Sequence, residues 1–290
     1  MRKTMIGRWT LLVAILLINL NSLEGSAPSL NKHVNDDIIV LTIPKSGTHL
    51  VEKLFSLLIG KKGHHLSGCM CKRNEPISPP MDRSRFHETV DRTFRKNEYL
   101  IAHFNYSKHV EEYLLSHPRG KVFLLIRDLR DVCVSAAFWL SKQIDRELGY
   151  SASMDEKLMW VITNGHDTKN RTMMDYELET ALAVDWFDHP EVVLLRFEDL
   201  CGSKGGGTQI AQKESILAVS KALGVRLSRR DLQFLTTNLW GEAEGGASST
   251  FRKGQIGSWR EYFKEEHVAA FKERLGGALI SLGYEENDDW

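Results

Sequence analysis

Three segments of this chain gather the residue types that hold phosphate-like anions. In Ile43-Pro44-Lys45-Ser46-Gly47-Thr48 an apolar run enters a tight turn through Gly47 and then opens into helical spacing. A strand–turn–helix junction of this kind aims several backbone N–H groups and the positive end of a helix at one point. Lys45 adds a mobile charge, Ser46 and Thr48 add hydroxyls, and Gly47 lets the backbone approach a ligand closely. The order is not that of the Walker A loop, where Lys directly follows the last Gly; here Lys45 stands two residues before Gly47. Taken alone, the segment fits an anion cradle and an ordinary strand-to-helix turn equally well.

The second segment is Arg127-Asp128-Leu129-Arg130-Asp131-Val132-Cys133-Val134-Ser135. Arg127 closes an apolar run, and Ser135 comes eight residues later, inside the helix that follows. The two converge on one phosphate if the turn folds back. The competing reading is a surface ion pair from Arg127 to Asp128 or Asp131, which is worth little. The third segment is Phe251-Arg252-Lys253-Gly254-Gln255-Ile256-Gly257-Ser258-Trp259, with two cations and two glycines ahead of a Trp. It reads as a loop that clamps an anion.

These segments need elements to position them. Residues 37–43, 122–126 and 192–195 are short apolar runs rich in β-branched side chains, as expected of strands buried on both faces. Residues 99–104 end a further strand. Helical spacing appears over 49–59, 132–140, 215–223 and 267–282, the last two each followed by Gly. Strands alternating with helices imply a mostly parallel sheet covered by helices on both faces. Ligands of such sheets bind beyond the carboxyl ends of the strands, where all three segments fall.

In this order the segments resemble the cytosolic and Golgi sulfotransferases that use 3'-phosphoadenosine 5'-phosphosulfate (PAPS). The resemblance spans residues 36–283. It implies an α/β fold, a single P-loop-like domain with a central, mostly parallel sheet flanked by helices. It assigns the 5'-phosphosulfate end of PAPS to Lys45, Ser46, Gly47, Thr48 and His49, and the 3'-phosphate to Arg127, Ser135, Arg252, Lys253 and Gly254. Phe197 matches a Tyr that lies beside the adenine. His103 falls at the position of the catalytic base, and Lys45 at that of the Lys contacting the bridging oxygen of the leaving phosphate. The sequence departs from the family where cytosolic members carry a stacking Trp: Leu50 stands there, leaving Phe197 and a further aromatic, with Phe234 a candidate, to face the adenine. No metal is expected. The alternatives are a P-loop nucleotide kinase and a catalytically inactive binding protein on the same fold.

Composition narrows the partners. Lys plus Arg, 38, equals Asp plus Glu, 38, in 290 residues, which excludes a broad basic platform for nucleic acid. The expected partner is a small-molecule, carbohydrate or other hydroxyl or amine acceptor, with the oligomeric state open. Residues 149–185 and 202–209 are expected to shape the acceptor site, with Gly205, Gly206 and Gly207 a slack surface turn.

Arg2, Lys3 and Arg8 precede an apolar run at 9–20, the layout of a secretory signal or short signal-anchor. That gives residues 1–27 as signal or anchor, 28–35 as linker, 36–284 as the sulfotransferase domain and 285–290 as an acidic tail. It also places the chain in the secretory pathway or at a membrane, with the cytosolic face possible because PAPS is made in cytosol. Asn105-Tyr106-Ser107 and Asn170-Arg171-Thr172 are glycosylation sequons. His64 and His65 ahead of Cys69-x-Cys71 read as solvated loop rather than zinc site, and Cys133 as a small core residue.

Overall fold

The computed structural model describes residues 29–66, 83–103, 108–164, 186–187, 189–241 and 252–290. The expected signal or anchor at 1–27, both sequons, Cys69, Cys71 and most of the 149–185 segment lie outside the described residues. Among those described, no helix is long and apolar enough to cross a membrane.

Five strands form one sheet: β1 Asp37–Thr42, β2 Gly63–Leu66, β3 Tyr99–Ala102, β4 Gly120–Ile126 and β5 Val192–Arg196. All pair parallel, in the order β2-β3-β1-β4-β5. The helices are α1 Thr48–Ile59, α2 Arg83–Arg95, α3 Lys108–Leu115, α4 Leu129–Trp139, α5 Ser141–Leu148, α6 Met154–Asn164, α7 Phe197–Leu200, α8 Gln209–Ala222, α9 Arg229–Asn238 and α10 Glu265–Ser281. Short 3-10 turns occupy Ser203–Gly205 and Ser258–Glu261.

The two-residue alternation of β1 divides the core. Ile39, Leu41 and Ile43 pack with Leu124 and Ile126 against α4, α6 and α10. Ile38 and Val40 pack with Phe123 and Leu125 against α1, α8 and α9. Each fully buried aliphatic side chain contributes roughly 1.5–3 kcal/mol, so the sheet is secured from both faces. β1 has β3 on one side and β4 on the other, and the chain builds the β2–β3 side first and then crosses past β1 to β4 and β5. The carboxyl end of β1 is therefore the point where the strand order reverses, and a crevice opens there.

Two expectations change. The stretch 28–35 is not a free linker from Ser29 onward: the Ser29 hydroxyl donates to the carbonyls of Ser56 and Leu57, and the Leu30 and Lys32 amides donate to Leu57 and Leu58. These bonds satisfy carbonyls that the end of α1 leaves without helical partners, and Lys32 also pairs with Asp231 at 2.7 Å. The acidic stretch 285–290 packs on the domain, with Glu285 2.6 Å from Arg130 and Trp290 against Trp259 and Phe271.

A chain beginning at Ser29 keeps these bonds to the end of α1. One beginning at residue 33 should lose about 2 kcal/mol or more, because several carbonyls at the end of α1 lose their donors. Urea unfolding of the two truncations checks this; equal midpoints would show that 29–32 contributes nothing.

Candidate functional site

The turn from β1 into α1 is sharply bent. Gly47 adopts φ 109° at the helix N-cap, and Lys45 occupies the left-handed region at φ 68°. A non-glycine residue held there is strained, a cost that surrounding contacts must offset. The Ser46 amide closes the turn onto the Ile43 carbonyl at 3.0 Å, and the buried Ser46 hydroxyl donates to the Leu125 carbonyl of β4 at 3.3 Å. Ser46 thus fastens the loop to the sheet. A Cβ on Gly47 would lie 2.6 Å from the Phe197 ring, so only glycine fits.

Phe197 begins α7 at the end of β5 and is 4% exposed. One side of its ring meets Gly47, and the Arg127 guanidinium lies 4.2 Å from its centroid. The ring is a floor under the turn and under Arg127, and little of it is open for a base to stack on. Phe234 lies half-buried on α9, against the second core cluster.

Arg127, 6% exposed at the end of β4, joins the segments. It donates to the Gln255 carbonyl at 3.0 Å, makes a long 3.5 Å contact to the Lys45 carbonyl, and lies 3.5 Å from Asp131. Asp131 answers the question left by the sequence, because it holds far more than Arg127. Its carboxylate accepts from the amides of Gly257 at 2.8 Å and Trp259 at 2.9 Å, and from the Ser258 hydroxyl at 3.3 Å. Burial pushes its pKa up, while Arg127 and the two amides pull it back. The loop 252–257 is thereby fixed against the first turns of α4. Asp131, Ser135 and Phe138 share one face of α4 at helical spacing, and Arg252 lies on that face, 4.2 Å from the Phe138 ring and 3.4 Å from the Tyr262 hydroxyl. The Nε groups of Arg127 and Arg252 are both shielded from water and have no acceptor among the described residues.

Not every expected residue joins the cluster. Lys253 is exposed and turns to Glu261 at 2.5 Å, although Gly254 beside it takes the left-handed φ of 60° that bends the loop. His49 projects outward and pairs with Glu52 at 3.3 Å. The turn at 202–207 is not slack. Gly205 is buried where a Cβ would meet the Trp240 ring at 2.5 Å, and this turn accepts the Ile256 amide and the Gln255 side chain, bracing the 252–257 loop.

His103 follows β3. Its Nδ1 lies 2.8 Å from the Thr42 carbonyl, which can only accept, so Nδ1 carries the proton and Nε2 of the neutral ring keeps a lone pair. The Thr42 hydroxyl, 2.9 Å from the same nitrogen, also meets the Thr48 hydroxyl at 3.0 Å, which links the imidazole to the β1–α1 turn. Burial, opposed by the Thr42 carbonyl and reinforced by His65, His49 and Lys45, holds the His103 pKa below its ordinary value. Lys45 lies 4.9 Å from the Trp139 ring, and burial with Arg127 lowers its pKa to about 8. Thr42 and Asp131 carry no motif signal of their own. Only their places, last in a strand and four residues after Arg127, hint at them.

The remaining expectations are local. Cys133 is fully buried, with its thiol pushed far from ionising. No group of three or more metal-ligating side chains occurs among the described residues. Glu198 ties the β4–α4 turn to the C-terminal segment by accepting the Asp128 amide at 3.0 Å and the Tyr284 hydroxyl at 2.9 Å.

The sulfotransferase domain family matches residues 35–201, more than half of the chain, so the chain belongs to that family. No curated protein matches the sequence. Among solved structures, mouse sulfotransferase SULT7A1 complexed with PAP aligns with a TM-score of 0.57 at 16% identity, over 84% of this chain and 84% of its own. At that identity the likeness establishes the fold. A gluconokinase from Sinorhizobium meliloti 1021 aligns at a TM-score of 0.28 and 12% identity, over 72% of this chain and 97% of its own, too low a score to carry an argument.

Removing the Asp131 carboxylate leaves Arg127 without its carboxylate partner and the amides of Gly257 and Trp259 without their acceptor. Asp131→Ala should cost about 3–5 kcal/mol, the range for breaking a buried pair from one side. Denaturant unfolding measures it, and a loss under about 1 kcal/mol would mean that the loop is held by something else.

Proposed function

We propose that this sulfotransferase takes its sulfuryl group from PAPS and passes it to an acceptor hydroxyl or amine by in-line displacement. The observation that carries the reading is the pair of shielded guanidinium groups, Arg127 and Arg252, each with an Nε that has no acceptor among the described residues. A buried N–H left without an acceptor costs roughly 1–3 kcal/mol, and a phosphate between the turn of β1 and the 252–257 loop would supply the missing acceptor. The 3'-phosphate falls to Arg127, Arg252, Ser135 and the Gly254 backbone. The 5'-phosphosulfate falls to the amides of residues 46–48, the Thr48 hydroxyl and Lys45. PAP in the complex with SULT7A1 is the desulfated form of such a donor. The 3'-phosphate takes no part in bond making, and its binding serves to orient the sulfur.

In the reaction the acceptor oxygen or nitrogen forms a bond to sulfur while the bond from sulfur to the bridging oxygen breaks. The acceptor proton passes to His103 Nε2, and the electron pair stays on the 5'-phosphate of the departing nucleotide. Like phosphoryl transfer, this step depends on positioning and charge stabilisation. Lys45, packed close to Arg127 and partly desolvated, meets the charge that builds on the leaving oxygen. Thr42 and Thr48 tie the base to the loop that carries the donor, so donor and base keep one geometry.

Lys45→Ala and His103→Ala should each lower kcat at least about a hundredfold, the lower bound for general acid–base catalysis, with unfolding midpoints unchanged. The pH profile of kcat/KM has a set sign. His103 must be neutral, and its pKa lies below 6.5, so the acid limb falls below that value. Lys45 must be charged, so activity declines as pH rises through about 8. Rates measured with PAPS and a simple phenol test both points. Near wild-type turnover in either variant, or no turnover in wild type across sugars, phenols, steroids and peptides, would sink the proposal.

A further inference from the structure

We infer that segment 285–290 is a strap that holds the 252–257 loop in its anion-binding position, acting through Arg130 and Trp259. Arg130 is a cation beside the proposed 3'-phosphate site whose three guanidinium nitrogens each already face a carboxylate. Its Nε and Nη2 donate to Asp128 at 2.9 and 2.8 Å, and its Nη1 lies 2.6 Å from Glu285. It is 3% exposed, and its guanidinium carbon lies 4.2 Å from the Trp259 centroid and 4.5 Å from the Trp290 centroid. The two indoles meet edge-on, at 83° and 5.9 Å, and form a corner around the cation.

The strap is itself fastened to α10. Trp290 meets Phe271 at 5.8 Å, and Lys272 donates to the Asp288 carbonyl at 2.5 Å. The load path is continuous: α10 holds Trp290, Trp290 and Glu285 hold Arg130, and Arg130 holds the Trp259 ring. The Trp259 amide in turn binds Asp131, the carboxylate that fixes the Gly257 end of the loop. Both indole N–H groups are buried without a partner among the described residues, so ring contacts with the guanidinium, not indole hydrogen bonds, keep the corner closed. A cation over an aromatic ring is held by the ring quadrupole, most strongly over Trp. Without the strap, Trp259 loses one wall of its corner, and the loop that bears Arg252 is held less firmly, by Asp131, Arg127 and the 202–207 turn alone. Arg130 and Trp290 are thus positioning residues for donor recognition.

The inference rests on the reading that the loop binds a 3'-phosphate, and the test separates the two. Affinities of the folded wild type, Trp290→Ala, Trp290→Phe and Glu285→Ala are measured by calorimetry for adenosine 3',5'-bisphosphate and for adenosine 5'-monophosphate. In parallel, amide hydrogen exchange is followed at Gly257 and Trp259 without ligand. Trp290→Ala should weaken the bisphosphate at least about fivefold and the monophosphate less than about twofold, with kcat at saturating donor unchanged. Trp290→Phe should recover most of the loss, and Glu285→Ala should give a smaller effect of the same kind. Both amides should exchange at least about tenfold faster in Trp290→Ala.

Equal losses for both nucleotides, or none, together with unchanged exchange, would overturn the strap. If wild type binds the bisphosphate no better than the monophosphate, the 3'-phosphate reading fails, and the exchange rates then decide the strap by themselves. If Trp290→Ala does not fold, Glu285→Ala decides: protection at Gly257 and Trp259 identical to wild type overturns the inference.

Discussion

A carboxylate taken out of water must be surrounded by donors, and Asp131 meets that demand by drawing a distant loop onto its helix. Its partners are Arg127 at the end of β4, the amides of Gly257 and Trp259, and the Ser258 hydroxyl. Breaking one side of such an arrangement is costly, since the unmatched charge or amide stays buried. The same bonds bring together residues separated by more than a hundred positions. Arg127 lies over Phe197 and reaches the Lys45 carbonyl, so the anchor extends to the turn after β1. The proposed anion site is therefore a consequence of satisfying one buried acid.

The sheet order gives this anchor its place. β1 lies between β3 and β4, and its carboxyl end opens the crevice that parallel sheets offer to ligands. His103 enters from β3, Lys45 from β1, Arg127 from β4 and Phe197 from β5. Rigid strands set the separations, and the loops add the reactive groups. Thr42, the last residue of β1, joins the two halves by contacting both His103 and Thr48. The proposed base and the proposed donor loop are coupled through a single side chain.

Much of this was legible from the residues, and the failures follow from what a sequence pattern can carry. The buried strands announce themselves as β-branched apolar runs, because both of their faces are covered. β2 does not: Gly63–Leu66 reads Gly-His-His-Leu, an edge strand with no alternation to detect. The phosphate-type motifs are visible because glycines and cations cluster in a few residues. Asp131 is not, because its role depends on a loop 126 residues away. Lys253 sits inside a motif yet turns to Glu261, since an exposed Lys pairs with whatever acid is near. The turn at 202–207 looks slack by composition, but Gly205 is there because the Trp240 ring leaves no room for a Cβ. The acidic 285–290 stretch reads as a tail because its charges outnumber its one aromatic anchor. That anchor, Trp290, acts only through tertiary contacts with Arg130 and Phe271.

The most direct measurement is a crystal structure of the protein with adenosine 3',5'-bisphosphate bound. The account predicts the 3'-phosphate within hydrogen-bond reach of Arg127, Arg252 and Ser135, with an oxygen accepting from the Nε of at least one of the two arginines. It predicts the 5'-phosphate over the amides of residues 46–48, on the side from which Lys45 and His103 face an acceptor. A nucleotide bound in the reverse sense, or a 3'-phosphate in solvent touching neither Arg127 nor the 252–257 loop, would contradict it.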